Sequence, residues 1–487
     1  EQAMAEGAPV LHEDFADYAK IYQAPEDAGN LLARAEAVMG RGVDGFDEAD
    51  IIVEGSYEVG AQYHAYMEPV SALASWGPDG RVTVWSSTQS IFRTQANIHE
   101  GLGIPMGKIR CIAPRIGGGF GAKAEVSGQL IAVMLARKAG APVRLVLSRD
   151  EDMITMRARH PGTLRVKTGA KADGTLVARE MEVWLDAGAY ADDSPAVMNL
   201  VLYYARGCYS IPHVRALGHA VYTNKLRLGA FRGFGNPQAS FAAESQLDEI
   251  AEKLDIDPIE LRIKNAIKAG EQWLGGQRIT SCALVESLEK VRDASDWARP
   301  RPAPPGRKRA LGVAAMTHTS AFLSSGAIVR LQGDGTVILN VGAVDIGQGS
   351  DTALSQMCAA ALGLDIEQVS FATPDTDSAP YNYGTNASRV TYTVGQAVHQ
   401  AAMQVRTQLL EHGAAMLECE PDELELRPGG RIGVNAEPAR NAEVSFADIA
   451  GRSLWAVGGP ITGSGSFIPN DPPDPQHTKL TGFLGLD

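Results

Sequence analysis

The feature that most constrains the fold of this chain is an order of local patterns that occurs twice. Each copy begins with two alternating strands joined by an Asp-Gly turn, at Asp79-Gly80 and at Asp334-Gly335. A polar turn with a glutamine follows, Gln89 in one copy and Gln348 in the other, and then a helix, a strand, a small-residue loop and a second helix. A period this long predicts a duplicated domain. The alternative is chance similarity of common α/β parts, and the matching glutamines favour duplication.

The repeat predicts an α+β fold of two similar mixed α/β domains that hold one elongated ligand between them. Residues 1–50 are acidic and rich in alanine, and they predict a connector left from a missing N-terminal domain, with regular structure beginning at Ile51. The first domain is then 51–299. Residues 300–309 have the composition of a linker, and the second domain, incomplete at its C-terminus, is 310–487.

Composition excludes several classes of protein. The chain has 487 residues with 45% apolar composition and a formal charge of −14, which argues against a nucleic-acid partner and against an anionic membrane surface. It has no apolar run long enough to span a bilayer and no signal-peptide pattern. The five cysteines are scattered without a Cys-x-x-Cys pair, so the sequence predicts no zinc or iron–sulfur site here and favours a cytoplasmic location.

A glycine-rich loop, 116–123, follows a strand-like run at 108–113 and precedes helical spacing at 124–139. A strand, a glycine loop and a helix start together expose backbone N–H groups, which bind anionic oxygens. The alternative is a tight turn without a ligand. Nearby, His64 and Glu68 suggest a metal, but two ligands are too few, and hydrogen-bonded structural roles are the preferred interpretation.

Five motifs in this order resemble the molybdenum-binding subunit of the xanthine oxidase (molybdenum hydroxylase) family. The resemblance covers Ile51 to about Ser466. The motifs are Ser87-Thr88-Gln89, Gly117 to Lys123, Ala230 to Gln238, Asp345 to Gly349 and Gly395 to Val398.

The resemblance implies a subunit of a molybdenum-dependent hydroxylase that oxidises an N-heterocycle or an aldehyde with water-derived oxygen. It implies molybdenum held by the dithiolene of a molybdopterin, as the cytosine dinucleotide, with no direct protein ligand to the metal. It further implies an iron–sulfur subunit with [2Fe-2S] clusters, an FAD subunit, and a further chain that completes the molybdopterin site. The resemblance therefore leads us to expect a cytoplasmic heteromultimer that acts on a small-molecule substrate.

By motif, Gln89 supports the catalytic centre at the oxo ligand of the metal, and Phe120 and Arg232 lie beside the metal. The implied substrate pocket contains Phe234, which stacks on a planar substrate, together with Ala124 and His219. The implied cofactor-binding residues are Gln89, Gly118, Gly119, Phe120, Gly121, Arg232, Gln348, Gly349, Ser350, Thr385, Ala387, Ser388 and Arg389.

The chain departs from the family pattern in several places. No Gly-x-Gly-Glu-like motif with the catalytic base follows Gly459, so the chain is expected not to catalyse alone. Xanthine-processing members have a glutamate where this chain has Ala124 and an arginine near His219, which is otherwise a partly buried structural histidine. The cysteine loop of the carbon monoxide dehydrogenase branch is missing at 228–232.

Three alternative functions remain open at this point. One is a cofactor-binding or assembly subunit without turnover of its own, and another is a xanthine or purine dehydrogenase subunit. The third, a flavin- or nicotinamide-binding dehydrogenase, lacks the expected acidic residue at 144–149. The sequence does not fix the substrate, the electron acceptor or the number of chains.

Overall fold

A computed structural model describes residues 2–5, 7–12, 29–125, 127–299, 301–320, 323–435 and 442–469. The strands in chain order are β1 (Leu31–Met39), β2 (Ile51–Val59), β3 (Ser71–Trp76), β4 (Val82–Ser86), β5 (Ile109–Ile112), β6 (Val143–Val146), β7 (Gly162–Ala170), β8 (Leu176–Gly188), β9 (His213–Tyr222), β10 (Ser325–Leu331), β11 (Val337–Val341), β12 (Val369–Phe371), β13 (Leu424–Arg427), β14 (Arg431–Val434), β15 (Glu443–Ser445) and β16 (Thr462–Phe467). The helices are α1 (Ile91–Leu102), α2 (Gly128–Ala139), α3 (Arg149–Thr155), α4 (Ser194–Tyr203), α5 (Asn236–Leu254), α6 (Pro258–Asn265), α7 (Leu284–Ala294), α8 (Ser350–Leu362), α9 (Gly395–Leu417) and α10 (Phe446–Trp455).

The chain folds into two compact units, each built from segments that are not consecutive. The first unit contains the described residues up to Tyr63 together with Arg157–His318, and the second contains His64–Met156 together with the described residues from Thr319 onward. The domain boundary predicted from the sequence at 300–309 stays a prediction.

The first unit is built on a five-stranded sheet in the order β1-β9-β8-β7-β2, in which only β8 and β9 run parallel among its neighbouring pairs. Strand β8 alternates between buried Met181 and Val183 and the less buried Glu180, Glu182 and Trp184, as expected when one face of a sheet is covered. Helices α4 and α5 pack on the buried face and close the largest core cluster.

Strand β1 corrects the sequence interpretation, which placed the start of regular structure at Ile51. Residues Leu31–Met39 pair along their length with β9 at the edge of the first sheet. The segment is rich in alanine, which has low strand propensity, so local preference did not identify it. Pairing with a neighbouring strand distant in sequence determines its structure here.

The second unit contains two four-stranded sheets with the same topology, β5-β4-β3-β6 and β12-β11-β10-β16. In each sheet an antiparallel hairpin pairs with a parallel third strand on one side and an antiparallel edge strand on the other. Helices α1 and α2 belong to the first copy, and α8 and α9 to the second. The predicted duplication and the mixed α/β fold are therefore confirmed, and both copies lie in the second unit.

The edge strand β16 is covered by glutamine side chains of α9. The backbone N–H groups of Ser464 and Ser466 donate to the side-chain oxygens of Gln404 and Gln400, at 3.0 and 3.2 Å. Bonds of this kind protect an exposed sheet edge from pairing with another strand. Within the described ranges, none of the helices is both long and apolar enough to cross a membrane. Of the proline-rich segment Pro469 to Pro475 near the C-terminal end of the sequence, residues 470–475 lie outside the described residues.

Candidate functional site

The first part of the candidate site is the glycine loop, which follows strand β5. Gly118, Phe120 and Gly121 have φ angles of 93°, 52° and 110°, and the Phe120 side chain is 42% exposed. A phenylalanine in the left-handed region is strained, and such strain occurs mainly at functional sites. In the part of the chain that the structure describes, the N–H groups of Gly118, Gly119 and Phe120 have no hydrogen-bond acceptor. Three adjacent open donors suit an anionic oxygen ligand.

The helix after this loop begins later than the sequence predicts. A 3₁₀ turn spans Ala122–Ala124, and α2 begins only at Gly128. Because the helix dipole acts mainly within the first turn, the open N–H groups of the loop, not a helix start, provide the anion-binding feature. Ala124 is buried in the 3₁₀ turn, and its place in a substrate pocket stays a prediction.

Gln89 joins the glycine loop to a second loop. Its side chain is 2% exposed, and its Oε1 accepts a hydrogen bond from the N–H of Gly121 at 2.9 Å. Its Nε2 donates to the carbonyl of Thr385 at 2.7 Å, and the N–H of Thr385 donates to the Gln89 carbonyl at 2.8 Å. A carboxamide has two N–H groups, so one of them takes no part in these bonds. The family resemblance implies that Gly121 binds the cofactor. In this structure the N–H of Gly121 donates to Gln89.

The polar turn before α8 repeats the position of Gln89. Gln348 lies directly before Gly349, the N-cap of α8, as Gln89 lies directly before Ser90, the N-cap of α1. The Nε2 of Gln348 donates to the buried Ser350 hydroxyl at 2.8 Å. The N-terminal amides of a helix bind anions, so this turn presents neutral donors next to a helix start.

Two carboxylates border this turn. The side chain of Asp345 accepts from the N–H groups of Gly347 and Asp351, at 2.7 and 3.1 Å. Burial, followed by the nearby Asp345, raises the pKa of Asp351 to about 6. Asp351 therefore keeps its proton to a higher pH than an ordinary aspartate does.

The second loop, 382–389, carries two more strained residues. Ala387 and Ser388 have φ angles of 47° and 54° and are exposed. The Thr385 hydroxyl donates to the carbonyl of Val344 at 2.6 Å and accepts from its N–H at 3.1 Å, which ties the loop to the turn after β11. A π-helical turn, Val390–Val394, follows directly, and π-helical turns are frequent at functional sites.

Arg389 lies beneath this loop, and both of its terminal nitrogens bind protein atoms. It is fully buried, and its two terminal nitrogens donate to backbone and side-chain oxygens at 2.6 to 3.1 Å. The acceptors are the carbonyls of Leu323, Ser324 and Gly384 and the side chains of Asn382 and Ser325. Burial lowers the pKa of Arg389 to about 10. The implied role of Arg389 as a direct cofactor ligand does not fit these contacts, which position the loop.

A second Gly-Phe-Gly loop lies in the first unit, before α5. Gly233, Phe234 and Gly235 have φ angles of 93°, 47° and 95°. Phe234 is partly buried against the core of its own unit, and Arg232 is exposed. The loop therefore has the same left-handed phenylalanine as the glycine loop of the second unit. This shared conformation supports a functional role for both loops.

Sequence reasoning missed the residue that holds this second Gly-Phe-Gly loop. The buried Arg159 donates to the carbonyl of Arg232 at 2.9 Å, stacks over the ring of Phe231 at 4.1 Å, and donates to the side chain of Gln62 at 3.0 Å. Burial lowers the pKa of Arg159 to about 10. No local motif marks Arg159, because its partners are distant in sequence.

His219 lies on β9, on the sheet face opposite α4. Its neighbour Gly218 faces Met198 of α4, and adjacent strand residues point to opposite faces. The His219 ring stacks on Trp184, with centroids 5.3 Å apart, and its Nε2 lies 3.5 Å from Glu182. Burial, followed by the charge of Arg34, lowers its pKa. These contacts favour a structural role for His219 in the sheet over a role in a substrate pocket.

In the second unit, shared hydrogen bonds bring together the glycine loop, Gln89, the turn at 345–350 and the loop at 382–389. These segments offer open backbone donors, a spare carboxamide N–H and hydroxyl groups, and they place a buried arginine beneath the loop. Such a set of mostly neutral donors fits a polyanionic ligand. The residues present in this unit therefore fit a molybdopterin.

Comparison with known families agrees with this donor set. Two family models, both described as a molybdopterin cofactor-binding domain, match residues 24–266 and 288–483. The chain is a pair of molybdopterin cofactor-binding domains.

Individual relatives point to one enzyme family. The chain is 35% identical over 434 residues, 86% of its length, to the xanthine dehydrogenase molybdenum-binding subunit of Escherichia coli O157:H7, and it spans 55% of that protein. It is 36% identical over 295 residues, 60% of its length, to the nicotinate dehydrogenase large molybdopterin subunit of Eubacterium barkeri, of which it spans 66%. Its structure matches the reconstituted CO dehydrogenase from Oligotropha carboxidovorans with a TM-score of 0.84 and 26% identity, over 96% of this chain and 63% of that chain. The chain belongs to the xanthine oxidase family of molybdenum hydroxylases.

Proposed function

We propose that this chain is the cofactor-binding part of the molybdenum subunit of a hydroxylase that oxidises an N-heterocycle or an aldehyde with water-derived oxygen. The observation that carries the proposal is the hydrogen-bonded assembly in the second unit. There, Gln89 connects the open N–H donors of the glycine loop to the loop at 382–389.

When bound, the cofactor supplies the redox chemistry and the oxygen transfer, while the protein supplies position and electrostatics. The N–H groups of Gly118, Gly119 and Phe120 would donate to anionic oxygens of the cofactor, and the second N–H of the Gln89 carboxamide would be a further neutral donor for it. These donors are fixed before binding, so they need no reorganisation when charge develops. For the first unit, the family resemblance implies that Arg232 would contact the pterin and that the ring of Phe234 would supply a flat surface for a planar substrate.

The remaining implied residues hold the rest of the cofactor. The backbone N–H groups of Gln348, Gly349 and Ser350 at the start of α8 suit a phosphate group. The backbone N–H groups of the exposed residues Ala387 and Ser388 suit one as well. A cytosine dinucleotide form of the cofactor, [2Fe-2S] clusters and FAD on partner subunits, a further chain that completes the site and a cytoplasmic location belong to the same proposal. Relatives named as molybdenum-binding and molybdopterin subunits support the subunit arrangement.

Metal analysis of the complete complex tests this function. Protein produced with molybdate in the medium is expected to contain about one molybdenum per copy of this chain, because each copy supplies one set of the donors described above. The measurement is elemental analysis together with turnover. Molybdenum without turnover on any heterocycle or aldehyde would favour an assembly subunit, and zinc or no metal would contradict the proposal.

The substrate preference is a second prediction, based on Ala124. An alanine side chain cannot make the charge-assisted hydrogen bond of a glutamate, which contributes about 1.5–3 kcal/mol. We therefore expect the complete complex to have a kcat/KM for xanthine at least tenfold below that for nicotinate or benzaldehyde. The Ala124→Glu variant should narrow this difference. A wild-type complex with the highest kcat/KM on xanthine would show that Ala124 does not set the preference.

A further inference from the structure

Beneath the glycine loop lies an ion pair whose lysine belongs to the loop motif itself. The side chain of Lys123 has 0% exposure, and its Nζ lies 2.8 Å from Oε2 of Glu68, which is 34% exposed. Burial lowers the pKa of Lys123, while the bond to Glu68 acts in the opposite direction. A lysine at the end of an anion-binding motif commonly reaches the ligand as a point charge. Lys123 instead points into the protein.

Glu68 holds the other end of the same loop. Its Oε2, which binds Lys123, also accepts from the N–H of Gly117 at 2.9 Å, and its own N–H donates to the Gly117 carbonyl at 3.1 Å. A Cβ on Gly117 would lie 2.6 Å from the Cβ of Glu68, so the two backbones approach as closely as glycine permits. One carboxylate oxygen therefore connects Gly117, near the start of the loop, to Lys123 at its end.

Tyr66 lies under the middle of the loop. A Cβ on Gly118 would lie 2.9 Å from the Cβ of Tyr66, and Lys123 Nζ lies 4.6 Å from the centre of the tyrosine ring. The Tyr66 hydroxyl donates to Asp152, whose other carboxylate oxygen accepts from the N–H of Val70 at 2.7 Å. The floor of the loop is thus fixed by buried hydrogen bonds and by a cation–π contact.

We propose that Glu68 is a positioning residue that acts through Lys123 and Gly117 to aim the open N–H donors of Gly118, Gly119 and Phe120 at the anionic oxygens of the cofactor. Glu68 itself contacts no ligand in this proposal, which rests on the proposed function above. Hydrogen-bond donors are most effective when neighbouring contacts hold them in the productive direction before the ligand binds. The carboxylate charge is needed because the buried ammonium of Lys123 would otherwise lose its hydrogen-bonded counter-charge and keep only the nearby carboxylate of Asp152.

Three variants of the complete complex test the proposal. Glu68→Gln keeps an oxygen for Gly117 and removes the charge, Lys123→Met removes the cation, and the double variant removes both. Exposed Glu100 on α1 gives the matched control, Glu100→Gln. We expect each single variant to lower kcat per bound molybdenum about tenfold or more, with KM changed less than about twofold. We also expect each single variant to shift the electron paramagnetic resonance signal of the metal. The double variant should recover part of the loss in kcat, because no unpaired charge remains.

The outcomes separate the two proposals. A wild-type complex without molybdenum would overturn the proposed function and this inference with it. A wild-type complex with molybdenum, together with single variants that keep the wild-type kcat per molybdenum and the wild-type resonance signal, would overturn only the positioning role. Single variants that melt at lower temperature but leave both of those quantities unchanged would also overturn the positioning role. If Glu68→Gln does not fold, Glu68→Asp replaces it, and the same two measurements decide.

Discussion

Replacement of Arg389 by methionine is expected to lower the free energy of unfolding by about 3–5 kcal/mol. The guanidinium of Arg389 donates to five acceptors, three of them backbone carbonyls. Methionine fills a similar volume and donates nothing, so several buried oxygens would lose their partner. Each such loss costs about 1–3 kcal/mol, and partial relaxation of the loop reduces the sum. Urea unfolding of the purified protein measures the change.

Arg330→Met provides the control for this prediction. Arg330 lies on β10 in the same copy of the repeat and is exposed, so the same chemical change removes no buried donor there. A change below about 0.5 kcal/mol is expected for this variant. Arg389→Lys should fall between the two, because an ammonium group cannot reach all the acceptors of a planar guanidinium. Equal unfolding free energies for Arg389→Met and Arg330→Met would contradict the positioning role of Arg389.

The repeat was the part of the fold that the sequence predicted best. Strand alternation and the turns at Asp79-Gly80 and Asp334-Gly335 are local signals, and both hairpins form where they indicate. The sequence did not predict strand β1, and it did not predict which segments of the chain form each of the two units. They depend on pairing between segments far apart in sequence, as in the contact of β1 with β9, and no local pattern reports such pairing.

The candidate site was predicted as a set of loops, but not as a set of side-chain directions. Glycine spacing indicated the loops around Phe120 and Phe234, because glycine adopts a positive φ angle at little cost, and the glycines on either side of these loops do so here. The motif could not show that Arg389 and Lys123 point into the protein, since both residue types also bind anionic ligands. The face of β9 on which His219 lies is determined by the register of the sheet. A motif places a residue only to within a few positions, and a shift of one position moves a side chain to the opposite face.

Gly119→Ala is expected to reduce turnover of the complete complex by at least about 100-fold. Gly119 does not have a positive φ angle, so alanine introduces no backbone strain there. A Cβ at this position would lie 2.5 Å from Oε1 of Gln89, a distance that forces the carboxamide to move. Gln89 would then lose its bonds to Gly121 and Thr385, and the second N–H of its carboxamide would turn away from its proposed place beside the cofactor.

Gly107→Ala is the matched control, because a Cβ there has no neighbour within 4 Å and the residue also lacks a positive φ angle. It should keep wild-type turnover within about twofold, since surface substitutions away from special contacts change the free energy by about 0.5 kcal/mol or less. Steady-state kinetics and molybdenum content are measured for both variants. Gly119→Ala is expected to differ from Gly107→Ala chiefly in kcat, because the donor proposed to act in the transition state has moved while the substrate surface proposed at Phe234 is unchanged. Wild-type kcat in Gly119→Ala would mean that the Gln89 carboxamide has no part in the reaction.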